Sequence, residues 1–185
     1  MGVIGKSMVE PNKVIKRERE IPTVPVNLDV IGEKLISFLE KESFQIFDAL
    51  ISVEADMVTI NIDKEKLVET AIYLKSTGEL QFDYLSCITV VDYIASDNNY
   101  EIVYHLISLT HQFKMAIKCI LTEENMTIPT LYDVWRSADW FERESHDLFG
   151  VFFQGHPNLS PLLLYEGFEG FPGRKSFPFH DYEEW

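Results

Sequence analysis

Cysteine is scarce: only Cys87 and Cys119 occur in 185 residues, each inside an apolar, strand-like run rather than in a CxxC pair. Iron–sulfur clusters and structural zinc need about four ligands, mostly closely spaced thiolates, so this chain does not build such a site unaided. Both cysteines are expected to be buried and reduced, packing as small hydrophobes. Positive charge is scarce too, with 16 Lys and Arg against 30 Asp and Glu and a formal net charge of −14. That balance repels phosphate backbones and anionic headgroups, which excludes nucleic acid as a partner. Long apolar runs are missing: Leu85–Val91 and Val103–Leu109 fall far short of the roughly 18 residues that cross a bilayer, so no direct membrane insertion is expected. Residues 1–16 lack an apolar segment followed by a small-residue cleavage site, which points to a cytosol-facing location. There is no Walker loop, GxGxxG, nucleophile elbow, HExxH or repeat of solenoid period.

At 46% hydrophobic, the chain is long enough for one core-bearing domain with extensions. Residues 1–26 carry charge and Pro11, Pro22 and Pro25 without periodicity, and read as a flexible arm with a locally basic stretch from Lys13 to Arg19. Residues 27–150 read as an α+β domain. A helix from Asn27 puts Leu28, Ile31, Leu35, Phe38 and Leu39 on one side, with Asn27 or Asp29 as N-cap. Strands at 44–53 and 57–62 turn at Glu54-Ala55-Asp56, and Asp63 is placed to cap a second helix that buries Leu67, Ala71 and Leu74 and stops at Gly78. Three more strands follow at 82–93, 100–109 and 113–121, the last two joined by a hairpin at Thr110-His111-Gln112. This order predicts a mixed, largely antiparallel sheet covered by helices. Residues 151–185 are broken by Pro157, Pro161, Pro172 and Pro178 yet rich in Leu and Phe, and read as an extended, irregular C-terminal segment that wraps a partner.

The last helix is placed at 131–149, capped by Thr130 with Asp133 three residues on. Its core side holds Leu131, Val134, Trp135, Ala138, Phe141, Leu148 and Phe149. Tyr132, Arg136, Trp140, Arg143 and Asp147 share the opposite side. Trp, Tyr and Arg anchor protein interfaces, so this side reads as a docking surface, either for another chain or for the chain's own C-terminal segment. Arg143 and Asp147 read as a helix salt bridge, and Glu142 and His146 as an exposed i, i+4 pair. A rival reading makes Asp139, Glu142 and His146 the metal or acid–base site of a small metal-dependent enzyme. His156 and Pro157 in a turn, and Arg174 and Lys175 in the tail, complete the expected partner contacts.

The run from Trp140 to Gly150 contains Glu142-Arg143-Glu144-Ser145-His146-Asp147-Leu148-Phe149-Gly150, followed by Gly155-His156-Pro157-Asn158-Leu159 and by Gly167-Phe168-Glu169-Gly170-Phe171-Pro172-Gly173-Arg174-Lys175-Ser176-Phe177-Pro178. With strand motifs at 84–93 and 103–109, these resemble in order the signatures of the thirty-kilodalton, or C-type, subunit family of respiratory complex I and related NADH:quinone oxidoreductases. His146 stands where that family commonly has an aromatic, Phe171 where it usually has His, and Ser160-Pro161 replaces a basic pair. The resemblance implies a non-catalytic structural subunit of the hydrophilic arm with no cofactor of its own, the iron–sulfur clusters, FMN and quinone belonging to partner subunits. It implies packing on the large quinone-site subunit, of the D type, and on neighbouring iron–sulfur subunits. The location implied is the cytoplasmic side of the cell membrane, or the matrix side of a mitochondrion, in support of electron transfer from NADH to quinone coupled to ion translocation. Equivalent subunits of membrane-bound hydrogenases, formate hydrogenlyases and deazaflavin-oxidising complexes give the alternative. The end at Trp185 leads us to expect a separate thirty-kilodalton subunit rather than a fused C/D form.

Overall fold

A computed structural model describes residues 28–41, 49–54 and 56–178. The N-terminal arm, Asn27, the start of the first expected strand, Ala55 and the chain beyond 178 lie outside the described residues.

Helix α1 (Val30–Lys41) begins where Asp29 Oδ1 accepts the Gly32 N–H at 2.7 Å, so Asp29 supplies the cap. Leu35 and Leu39 are buried, and Phe38 meets Phe113 edge-on. Strands β1 (Leu50–Glu54) and β2 (Met57–Asn61) pair antiparallel. Asp63 makes no side-chain cap bond: a 3-10 turn over Lys64–Lys66 intervenes before α2 (Leu67–Ser76), which buries Leu67, Ala71 and Leu74 as expected. The helix gives way at Thr77, which is already extended, so Gly78 is not its stop; the left-handed residue of the connection is Gln81, at φ 44°.

After β3 (Tyr84–Asp92) and a four-residue helix α3 (Ile94–Asp97), β4 (Tyr100–Ile107) and β5 (Lys114–Leu121) complete a five-stranded sheet in the order β1-β2-β5-β4-β3. All pairings are antiparallel except β2 with β5. Strand alternation fixes the core face: Tyr100, Ile102, Tyr104 and Leu106 lie opposite Leu121, Cys119, Ile117 and Met115, and all are buried. On the other face Lys118 is held between Glu54 at 2.6 Å and Glu101 at 3.1 Å. The architecture is the α+β one the element order implied. Both cysteines are free, but only Cys119 is fully buried, where burial pushes its thiol up to about 12; Cys87 is half-buried.

The largest departure from expectation follows β6 (Thr127–Pro129). Residues 131–137 form turns, and α4 spans only Ala138–Phe149. Val134 and Trp135 both donate their N–H to the Leu131 carbonyl, closing a tight loop, and the Trp135 Nε1–H donates to the buried Phe82 carbonyl at 3.0 Å. Thr130 turns the chain rather than capping a helix: its Oγ1 accepts the Tyr132 N–H two residues on, at 3.1 Å. Leu131, Val134 and Trp135 are therefore core residues from a turn. Helix α4 ends at Gly150, whose φ of 78° and close approach to the Phe171 ring leave no room for a Cβ. Strand β7 (Phe152–Gln154) then pairs parallel with β6, burying Val151 and Phe153, so the packed body runs through Gln154 rather than ending at 150. Among the described residues, no helix is long and apolar enough to cross a membrane.

Candidate partner-docking surface

Helix α4 buries polar groups that helical spacing assigns to solvent. Asp147 is buried and accepts the N–H groups of Leu162, Leu163 and Leu164 at 2.7, 2.8 and 3.3 Å. Burial alone would raise its carboxyl; the three backbone donors outweigh it and hold the group below the usual aspartate value. Arg143 forms no ion pair with Asp147. Its Nε donates to the Ser160 carbonyl at 3.1 Å and its Nη2 to Ser160 Oγ at 3.3 Å and the Pro161 carbonyl at 3.1 Å. Two charged side chains of α4 thus seat residues 160–164 against the helix through backbone groups.

The tail is tied again further on. The Gly173 N–H donates to the Leu148 carbonyl at 2.8 Å, and Arg174 Nε to the Phe149 carbonyl at 2.8 Å. The Arg174 guanidinium lies over the Phe171 and Tyr100 rings, 4.5 and 5.4 Å from their centroids, and the Lys175 N–H donates to Asp92 Oδ2 at 2.8 Å.

Glu142, expected to be exposed beside His146, has 0% exposure. Its Oε1 accepts the Leu131 N–H at 2.7 Å and its Oε2 the Thr130 hydroxyl at 2.5 Å. Burial pushes its carboxyl up to about 7 against the pull of those two donors, and Asp139 adds to the rise. His146 is directed elsewhere, its Nδ1–H donating to the Val151 carbonyl at 2.8 Å. The imidazole that reaches the carboxylates belongs to His156, whose Nε2 lies 3.4 Å from Asp139 Oδ1 and 3.9 Å from Glu142 Oε2. Its ring is buried and meets Tyr132 edge-on at 5.6 Å; burial lowers its pKa. The Asp139, Glu142 and His146 metal site is therefore not assembled, and among the described residues no three His, Cys, Asp or Glu side chains are placed to hold a metal ion.

Apolar and aromatic side chains face outward among the exposed charges of Asp133, Arg136, Glu166 and Glu169. Trp140 is 62% exposed, with the Arg143 guanidinium 5.7 Å from its ring. Arg136 stacks over Tyr132 at 4.2 Å. Phe152, Leu163 and Tyr165, which sequence reasoning does not single out, are each more than half exposed. No residue from Gly155 to Pro178 is buried as a whole, although the His156 ring is. Of the eight residues expected to meet a partner, Arg136, Trp140, Pro157 and Lys175 are exposed and Tyr132 is half-buried, whereas Arg143, His156 and Arg174 tie the chain to itself.

The α+β core carries an irregular, apolar tail on its outside, tied to α4 by backbone hydrogen bonds. Residues 60–183 match the family described as respiratory-chain NADH dehydrogenase, 30 Kd subunit, and the chain belongs to that family. It is 44% identical over 123 residues to the C 2 subunit of NADH-quinone oxidoreductase from Rhizobium meliloti, covering 66% of this chain and 67% of that one. It is 39% identical over 133 residues to the mitochondrial NADH dehydrogenase [ubiquinone] iron-sulfur protein 3 of Candida albicans, covering 72% of this chain and 47% of that one. The chain thus spans between about half and two thirds of the length of these curated relatives. Among solved structures, a trypsin-resistant fragment of Nqo5 matches with TM-score 0.60 and 27% identity, over 68% of this chain and 98% of that one. A chain of an archaeal membrane-bound sulfane sulfur reductase matches with TM-score 0.67 and 25% identity, over 80% and 85%.

Proposed function

We propose that this chain is a structural subunit of the hydrophilic arm of a complex I-type NADH:quinone oxidoreductase, holding that arm together while electrons pass through other chains. One observation carries the reading: a tail of 24 residues from Gly155 to Pro178, rich in Leu and Phe and without one fully buried residue, is pinned to α4 by Asp147 and Arg143 with Trp140, Leu163 and Tyr165 facing out. Ordering irregular chain opposes conformational entropy, and the intrachain bonds that offset it here leave large apolar side chains exposed, which is area a partner can bury. The NADH-quinone oxidoreductase relatives supply the kind of assembly. The partners are then the large quinone-site subunit and neighbouring iron–sulfur subunits, on the cytoplasmic side of the membrane, with iron–sulfur clusters, FMN and quinone bound by those partners and none by this chain.

The test is affinity purification of the tagged chain from membranes of its host. Recovery with a flavin- and NADH-binding subunit and with iron–sulfur subunits supports the reading, as does a purified single chain without iron, flavin or visible absorbance. Recovery as a free monomer, or with metal near one per chain, sinks it. The likeness to the sulfane sulfur reductase chain favours a second reading, the equivalent subunit of a hydrogenase-type or related membrane complex. Recovery of hydrogenase-type partners in place of the NADH-binding subunit identifies that case.

A further inference from the structure

The buried imidazole of His156 occupies the first place in a string of hydrogen bonds that seats the root of the tail. Its Nδ1 accepts the Asn158 N–H at 3.1 Å. Asn158 Oδ1 accepts the Ser160 N–H at 3.2 Å, and the Ser160 and Pro161 carbonyls accept from Arg143 at 3.1 Å each. Beyond them Asp147 holds Leu162 to Leu164. An Nδ1 that accepts belongs to a neutral ring whose proton is on Nε2. That Nε2–H is enclosed, 3.4 Å from Asp139 Oδ1 and 3.9 Å from Glu142 Oε2, and is aligned with neither. A buried donor that neither neighbouring carboxyl oxygen meets at hydrogen-bond geometry is unusual in a packed interior.

Adding a proton to this ring has a defined structural result. An imidazolium carries hydrogen on both nitrogens, so Nδ1 would confront the Asn158 N–H donor to donor and that bond breaks. At the other nitrogen the positive charge turns the 3.4 Å contact with Asp139 into an ion pair, which offsets part of the loss; Glu142, its carboxyl pushed up to about 7, is neutral in that range. We propose that His156 is a proton-operated catch at the root of the tail: neutral, it holds Asn158 and through it the Ser160 amide; protonated, it lets Asn158 go and pairs with Asp139, loosening residues 157–160 while Arg143 keeps its hold on Ser160 and Pro161.

The groups around the ring set the direction. From α4, Asp139 favours the charged ring through its carboxylate and a backbone hydrogen bond, and Arg143 opposes it; Tyr132 faces the ring from the preceding turn, and Tyr104 of β4 lies behind Glu142. Burial opposes the charge most strongly, so the catch opens below the ordinary imidazole range. The device belongs to the chain alone and holds whichever assembly it joins.

The experiment is amide hydrogen exchange, followed by NMR on the full chain, with the His156 ring titrated in parallel. Between about pH 7.5 and about pH 5, protection of the Asn158 and Ser160 amides, corrected for intrinsic exchange, is expected to fall about tenfold or more in step with the ring, while Ile102 to Tyr104 in β4 keep theirs. In His156→Asn, an amide oxygen can stand near the place of Nδ1 and cannot take a proton; protection there is expected to be independent of pH. His146→Asn is expected to keep the parent's pH dependence. Unchanged protection of Asn158 and Ser160 through the ring titration of the parent chain overturns the proposal, and so does His156→Asn behaving as the parent. Should His156→Asn fail to fold, the parent titration decides alone.

Discussion

At Glu142 two forces oppose, and burial wins over two hydrogen bonds to leave the carboxyl near 7 instead of 4.5. A folded-state value above the unfolded one means that the group's contribution is complete below about pH 4.5 and is lost as pH rises through about 7. Urea unfolding of the full chain is expected to give a free energy that declines between about pH 5 and about pH 8 by on the order of 1–3 kcal/mol from this group, and Glu142→Gln is expected to flatten that slope. A parent curve level across the range contradicts a neutral carboxyl. His156 and Asp147 act in the other direction, because both folded values are depressed: the stabilisation is present above their unfolded values and is lost as pH falls through the folded ones. Asp147→Asn weakens three charge-assisted bonds, with an expected cost of about 1–3 kcal/mol and faster exchange at Leu162, Leu163 and Leu164. None of this is legible in the sequence. Hydrophobic patterning assigns every carboxylate to solvent, so Glu142 and Asp147 read as surface pairs. Only the Gly155-His156-Pro157 motif, through the family resemblance, marks His156 as more than a turn residue.

At the scale of elements, the strands and first two helices are readable because alternation and helical spacing are local properties. Cap chemistry is less faithful: Asp29 caps α1 as expected, whereas Asp63 and Thr130 engage in turns. The apolar spacing of Leu131, Val134, Trp135 and Ala138 fits a helix, but the turn at 131–137 buries the same side chains and frees Thr130 to donate to Glu142. Tertiary demand overrides propensity there. The outward position of Trp140 survives the change because it lies inside the true helix α4. Trp140→Ala is expected to leave monomer stability within about 0.5 kcal/mol, since the side chain is mostly in water, and to weaken assembly by about 2 kcal/mol or more. Native gels of membranes and urea unfolding of the isolated chain separate the two effects; a large loss of monomer stability would assign the indole to intrachain packing.

Across the whole molecule, element order announces the α+β class, but the neighbours in the sheet are not legible, since nothing local tells β2 that its partner is β5. The tail is legible as an apolar segment without regular structure, and as one of the two occupants open to that side of α4; the backbone bonds from Asp147 and Arg143 that hold it there are not. A chain ending at Asn158 is expected to fold cooperatively with a loss of about 2–4 kcal/mol, from uncapped Asp147 and the missing Arg174 contacts, and to be absent from the assembled complex on native gels. Incorporation of the shortened chain would move the docking surface elsewhere. The parallel pairing of β2 with β5 also sets a timetable for biosynthesis. The hairpin ending at Asn61 leaves the ribosome long before Lys114 to Leu121 exist to receive it, and a two-stranded hairpin is at best marginal in water. At about 5–20 residues per second, that delay is several seconds, during which an apolar strand edge stands bare. The open edge of β2 is closed only when the meander β3-β4-β5 presents its last strand, so the two halves of the sheet are joined by the latest-made strand of the five.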